Sequence, residues 1–189
     1  MTVRGRARRV LIGIGVLIAM QAVALALYQL ASHPAREEVF DAQELPPRSA
    51  PSLVFARADG ARHALAELRG KVVMVHFWAT WCEPCRKELP GLLALSRQLS
   101  QSGRFELLAI AVGDEWSAIR EFFDGDVPSE VARPDDADVH RRFGVGTLPD
   151  TYLVDARGDV FVRYAGAREW RSAAARAQLQ RQLAPRRGR

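Results

Sequence analysis

Residues 72–78 read Val-Val-Met-Val-His-Phe-Trp, an almost unbroken β-branched and aromatic run. Such a run fits a strand buried on both faces, so the rest of the chain must supply cover above and below it. The following residues supply one layer. Leu89, Leu92, Leu95 and Leu99 recur at three- and four-residue spacing, which gives a helix one apolar face; Pro90 is expected to kink it and Gly103 to end it. Residues 105–112 form a second buried strand, and Trp116, Ile119, Phe122 and Phe123 mark a second amphipathic helix. A loop rich in Asp and Pro then leads to a short helical piece ending near Phe143. Residues 151–154 and 160–164 flank the turn Asp155-Ala156-Arg157-Gly158 as a hairpin, and a last helix spans residues 172–183. Ahead of the central strand, residues 52–56 and 62–65 form a small opening hairpin about Asp59-Gly60. The pattern predicts a three-layer α/β sandwich with a mixed central sheet flanked by helices.

The 189 residues leave room for one ordinary domain and a short appendage. Residues 10–31 are uncharged and about as long as a helix needs to cross a bilayer. Arg4, Arg6, Arg8 and Arg9 precede them in the basic tail 1–9, which orients the remainder outward, to the bacterial periplasm. A retained single-pass inner-membrane anchor is the favoured reading. A signal peptide cleaved near Ala24-Leu25-Ala26, releasing a soluble exported domain, is the alternative. Residues 32–50 mix charge and proline without a sustained period and read as a linker, with the domain at 51–189. The net charge of +5 does not point to nucleic acid, because Arg186, Arg187 and Arg189 crowd the other end. Without the seven terminal arginines, +5 becomes −2.

Only two cysteines occur, in Trp81-Cys82-Glu83-Pro84-Cys85, where the best strand hands over to a helix. Two cysteines three apart make no disulfide framework. Unpaired N–H groups and the helix dipole favour a thiolate on Cys82, the expected nucleophile. Cys85, one turn further on the same side, is the expected resolving thiol. A structural zinc site is disfavoured, since it wants about four ligands and the histidines have no paired spacing with these cysteines. No metal and no cofactor beyond the Cys82–Cys85 redox pair are expected.

Residues 75–85 (VHFWATWCEPC), with Leu68-Arg69-Gly70-Lys71 before and Glu88-Leu89-Pro90 after, resemble the TlpA/ResA/CcmG (DsbE) group of thioredoxin-like proteins. Residues 144–155 (GVGTLPDTYLVD) resemble that group's second signature. The resemblance implies a thioredoxin-like fold with an extra strand and helix within residues 105–125. It also implies a cis-proline at Pro149 facing the cysteines, with the Leu148 backbone pairing an extended substrate alongside Trp81, Glu83 and Pro84. Such proteins hang from the membrane by an N-terminal helix and reduce disulfides, often in apocytochrome c, with electrons from a membrane thiol donor. Glu88 matches an acidic residue of the group and is the first candidate for moving the proton of Cys85, a solvated helix carboxylate being the alternative. His76 stands where thioredoxin carries a buried acid, and a neutral core histidine is favoured there over a catalytic base. Asp150 replaces the group's usual Thr.

Negative charge from Glu83, Glu88 and Asp150 near Cys82 would oppose the dipole and favour a reductase. The expected function is a periplasmic thiol:disulfide reductase acting on protein disulfides. A non-enzymatic redox sensor or client-binding module and a peroxidase of related fold are the alternatives.

Overall fold

The computed structural model describes residue 13, residues 15–25 and residues 40–184. The chain divides into two units, 1–39 and 40–189. In the first, residues 13 and 15–25 are helical, with exposed Val16, Leu17, Ile18, Met20, Val23 and Leu25. Among the described residues no helix is long and apolar enough to cross a membrane. The rest of the segment read as a membrane span lies outside the described residues.

The second unit is built on one eight-stranded mixed sheet. Its strands are β1 (Gln43–Ser49), β2 (Val54–Arg57), β3 (Arg62–Ala64), β4 (Val72–Trp78), β5 (Phe105–Ala111), β6 (Val131–Pro134), β7 (Asp150–Val154) and β8 (Asp159–Ala165), in the order β1-β8-β7-β4-β5-β6-β2-β3. The helices are α1 (Glu83–Ser100), α2 (Trp116–Phe122), α3 (Val139–Phe143) and α4 (Ala173–Leu183), with a short 3₁₀ turn at Leu65–Leu68. The central position of β4 follows from its composition. It pairs in parallel with β5 (Val75↔Leu108) and antiparallel with β7 (Val75↔Tyr152), so neither edge meets water.

Alternation along β4 sorts its side chains into two cores. Met74 and Trp78 pack with Leu89, Leu92, Ile119 and Leu179 under α1, α2 and α4. Val73, Val75 and Phe77 pack with Leu65, Val139 and Phe143 under α3 and the 3₁₀ turn. The expected three layers are therefore present. α1 runs through Pro90 without a break and stops at Ser100, after which Gly103 takes a φ of +69°.

Two strands correct the sequence reading. Residues 43–49, read as linker, form β1 at the edge of the sheet, antiparallel to β8 (Gln43↔Arg163, Ser49↔Asp159). Pro46 and Pro47 disguised it, since proline cannot donate to a ladder. An edge strand tolerates them, and the register shifts between Glu44 and Arg48 where they stand. The compact unit thus begins at Phe40, whose ring meets Tyr164 and Trp170 at 5.4 and 5.0 Å. Residues 131–134, read as loop, form β6, which joins β5 to β2. Four residues ending in proline carry too little pattern to register as a strand.

Candidate active site

The loop between β4 and α1 is held before the cysteines are reached. Val112 N–H donates to the Trp78 carbonyl at 2.8 Å. The Asp114 carboxylate accepts from the Thr80 N–H at 2.7 Å and from its hydroxyl at 2.8 Å. Charge-assisted bonds from a buried carboxylate fix a loop more firmly than neutral ones. Asp114 carries no sequence signal of its own; only the parallel alignment of β5 beside β4 brings it to Thr80.

Cys82 is the N-cap of α1, in extended conformation, and its Sγ accepts from the Cys85 N–H at 3.3 Å. Pro84 occupies the first turn, where a missing N–H has no helical partner to lose. The two cysteines form a disulfide with Cα atoms 5.3 Å apart. Cys82 keeps 6% of its surface exposed and Cys85 none. An incoming thiol therefore meets Cys82 first, and after reduction the free helix N–H groups favour a thiolate there. Trp81, 67% exposed, projects beside it. Glu83 is at the surface with Lys87, its Oε1 3.2 Å from Nζ. A groove of about 360 Å³ runs past Glu83, Pro84, Lys87, Glu88 and Arg168.

Glu88 is not a solvated carboxylate. It lies on the buried face of α1, one turn beyond Cys85, and is only 6% exposed. Its Oε2 accepts from the Arg168 N–H at 2.5 Å and from Trp170 Nε1–H at 3.2 Å. Burial pushes the carboxyl up from 4.5 to about 7, outweighing those two bonds and the Arg168 charge, all of which favour the anion. His76 shares the face of Met74 and Trp78, is wholly buried, and is held by burial down at about 3, hence neutral. Its Nδ1 lies 2.9 Å from Thr151 Oγ1. Trp170 and Arg168 went unnoticed in the sequence because they reach Glu88 from the segment between β8 and α4, some eighty residues away.

The Leu148–Pro149 peptide bond is cis, as the second signature implied. Pro149 directly precedes β7, whose Asp150 pairs with Phe77, so it stands at the end of the sheet where β4 delivers the cysteines. Leu148 is partly buried against both cores. Asp150 corrects the sequence reading. Opposite Phe77 it points to the face away from α1, where Arg163 Nη2 meets it at 2.7 Å and the Tyr152 hydroxyl donates to it at 3.1 Å. Its carboxylate is paired with Arg163 there, on the opposite face of the sheet from α1.

The AhpC/TSA family model matches residues 46–163. The chain belongs to the AhpC/TSA family. Its relatives include the thiol-disulfide oxidoreductase ResA of Geobacillus thermodenitrificans, 36% identical over 115 residues, which are 59% of this chain and 64% of that protein. ResA of Bacillus cereus (strain ATCC 10987 / NRS 248) is 30% identical over 151 residues, 79% of this chain and 83% of the relative. The crystal structure of a putative thiol:disulfide interchange protein DsbE from Chlorobium tepidum matches with a TM-score of 0.60 and 25% identity, over 75% of this chain and 96% of that one. These likenesses put the chain among the TlpA/ResA/CcmG-like members of the AhpC/TSA family and its fold among the thioredoxin-like α/β folds. The chain spans about 64% of the length of the first of these relatives. In this AhpC/TSA member the cysteine pair, the cis-proline and the buried glutamate all stand at one end of β4.

Proposed function

We propose that the protein is a thiol:disulfide oxidoreductase that uses Cys82 and Cys85 to reduce protein disulfides outside the cytoplasm. The observation that carries this reading is the placement of the pair. Cys82 caps a helix and keeps a slight exposure, and Cys85 is fully buried behind it with a buried acid one turn away.

In the reducing direction the Cys82 thiolate attacks one sulfur of a client disulfide. A mixed disulfide forms and one client thiolate leaves. Cys85 gives its proton to the Glu88 carboxylate and attacks Cys82 Sγ; the Cys82–Cys85 bond forms and the second client thiolate departs. An incoming dithiol restores the pair by the reverse exchange. The direction is supported by Glu83 in the first turn and by Glu88, ionised above about pH 7, both opposing the dipole at Cys82. Names of the relatives given above support exchange chemistry; the basic tail and apolar segment 10–31 support membrane attachment on the periplasmic side. Apocytochrome c as client and a membrane thiol transporter as donor follow from the group's habits.

The test is the reduction potential of the full chain equilibrated in thiol buffers, with Cys82→Ser as control. A two-electron transition well below the ~−120 mV of a strong periplasmic oxidant supports a reductase. A value near that figure reverses the direction, and no transition ends the redox reading. Insulin reduction at catalytic amounts separates an enzyme from a sensor. Peroxide turnover with no insulin reduction would favour the peroxidase.

A further inference from the structure

The two oxygens of Glu88 have different surroundings. Oε2 already accepts two N–H bonds, from Arg168 and Trp170. Oε1 has no hydrogen-bond partner among the described residues, and neither has His76 Nε2. The two orphans lie 3.6 Å apart in a site closed to solvent. That separation is too long for a hydrogen bond, and a movement of about 0.5 Å makes it one. An oxygen that accepts two N–H bonds is a poor place for a proton, so the proton of a neutral Glu88 belongs on Oε1, facing His76.

We propose that His76 is a positioning residue for proton transfer at Cys85, its neutral imidazole offering Nε2 as acceptor to an Oε1–H of Glu88. This rests on the thiol–disulfide reading above. The ring is oriented for the task by Thr151 Oγ1, to which Nδ1–H donates, because a neutral imidazole with an accepting Nε2 carries its hydrogen on Nδ1.

The proton balance is simple. When an incoming thiolate opens the disulfide at Cys82, Cys85 leaves as a thiolate and takes the proton from Glu88 Oε1, leaving a carboxylate and a thiol. The carboxylate then faces the Nε2 lone pair, an unfavourable contact that raises its proton affinity. It recovers the proton when Cys85 must ionise to resolve a mixed disulfide, and the lone pair is again satisfied. A carboxyl at about 7, one helical turn from a thiol whose ordinary value is near 8.5, exchanges a proton over a small gap in proton affinity. The other groups about the pair are few. Arg168 and Glu169 face it from the segment before α4, Glu83 and Lys87 from α1 at the groove rim, and Thr151 from β7. Among the described residues Arg168 is the one whose charge reaches Glu88, and it favours the anion.

The experiment measures, from pH 5 to 9, the rate at which the reduced full chain resolves its mixed disulfide with glutathione, by release of the second glutathione. Wild type and Glu88→Gln bracket the pH midpoint, which is present in the first and lost in the second. His76→Gln puts an amide at the Nε2 position that can donate to the carboxylate, and it should lower the midpoint by about one pH unit. An unchanged midpoint in a folded His76→Gln protein overturns the proposal, since a merely structural histidine would not move it. Should that variant fail to fold, ¹⁵N NMR of the wild-type ring decides. A neutral Nδ1–H tautomer in the oxidised protein is expected; an Nε2–H tautomer or an imidazolium refutes it. Failure of wild type to exchange with glutathione at all would instead sink the functional reading, and the ring measurement would still stand by itself.

Discussion

Cys82 and Cys85 sit one helical turn apart and meet different surroundings, so their replacements should behave differently. Cys82→Ser removes the thiol of the less buried residue of the pair and should abolish exchange. Cys85→Ser keeps the attacking thiolate but removes the group that resolves it, so it should accumulate a mixed disulfide visible on a non-reducing gel. Glu88 also makes a prediction for stability. Between 4.5 and about 7 the folded protein holds a proton on Glu88 that the unfolded chain has released, so this residue's contribution falls as pH rises through that window. At about 1.4 kcal/mol per pH unit, the oxidised wild type should lose about 2 kcal/mol relative to Glu88→Gln between pH 5 and pH 8, as read from urea unfolding. His76 acts in the opposite sense at lower pH. The unfolded chain takes up a proton below 6.5 and the folded one not until about 3, so its contribution is lost as pH falls through that range.

Among the elements, the turn before α1 and the edge strand β1 are the ones whose roles are open to direct test. Asp114→Ala leaves the half-buried Thr80 N–H and hydroxyl without their acceptor and should cost about 1 kcal/mol, with slower reduction by thiols as the cysteine turn loosens. Asp114→Asn, which keeps an acceptor oxygen, should recover part of both losses. For β1, the rings of Phe40, Tyr164 and Trp170 connect the strand's approach to the residue that donates to Glu88 Oε2. Phe40→Ala should cost about 2 kcal/mol, less than a fully buried phenylalanine because Phe40 is only half-buried. Thermal unfolding beside wild type measures it.

At the scale of the whole molecule, the boundary of the compact unit is a further prediction. A fragment starting at residue 40 should unfold in one cooperative transition, whereas one starting at residue 51 lacks β1, exposes the edge of β8, and should unfold earlier or aggregate. Differential scanning calorimetry of the two fragments decides it. The core strand β4, the amphipathic α1, the β7–β8 hairpin and the cysteine pair at a helix start can be read from the residues in order, because apolar periodicity and local caps are written in neighbouring residues. The cis-proline at Pro149 was legible through a signature motif. Contacts between distant segments arise only once the chain is folded. Alternation along β7 turned Asp150 away from the cysteines and onto Arg163. β1 found β8 in spite of its prolines. The segment before α4 brought Arg168 and Trp170 to Glu88, making a surface-looking glutamate a buried acid that faces a neutral histidine. Charge and proton affinity depend on what surrounds a group in space, and neighbours in sequence do not specify that surrounding.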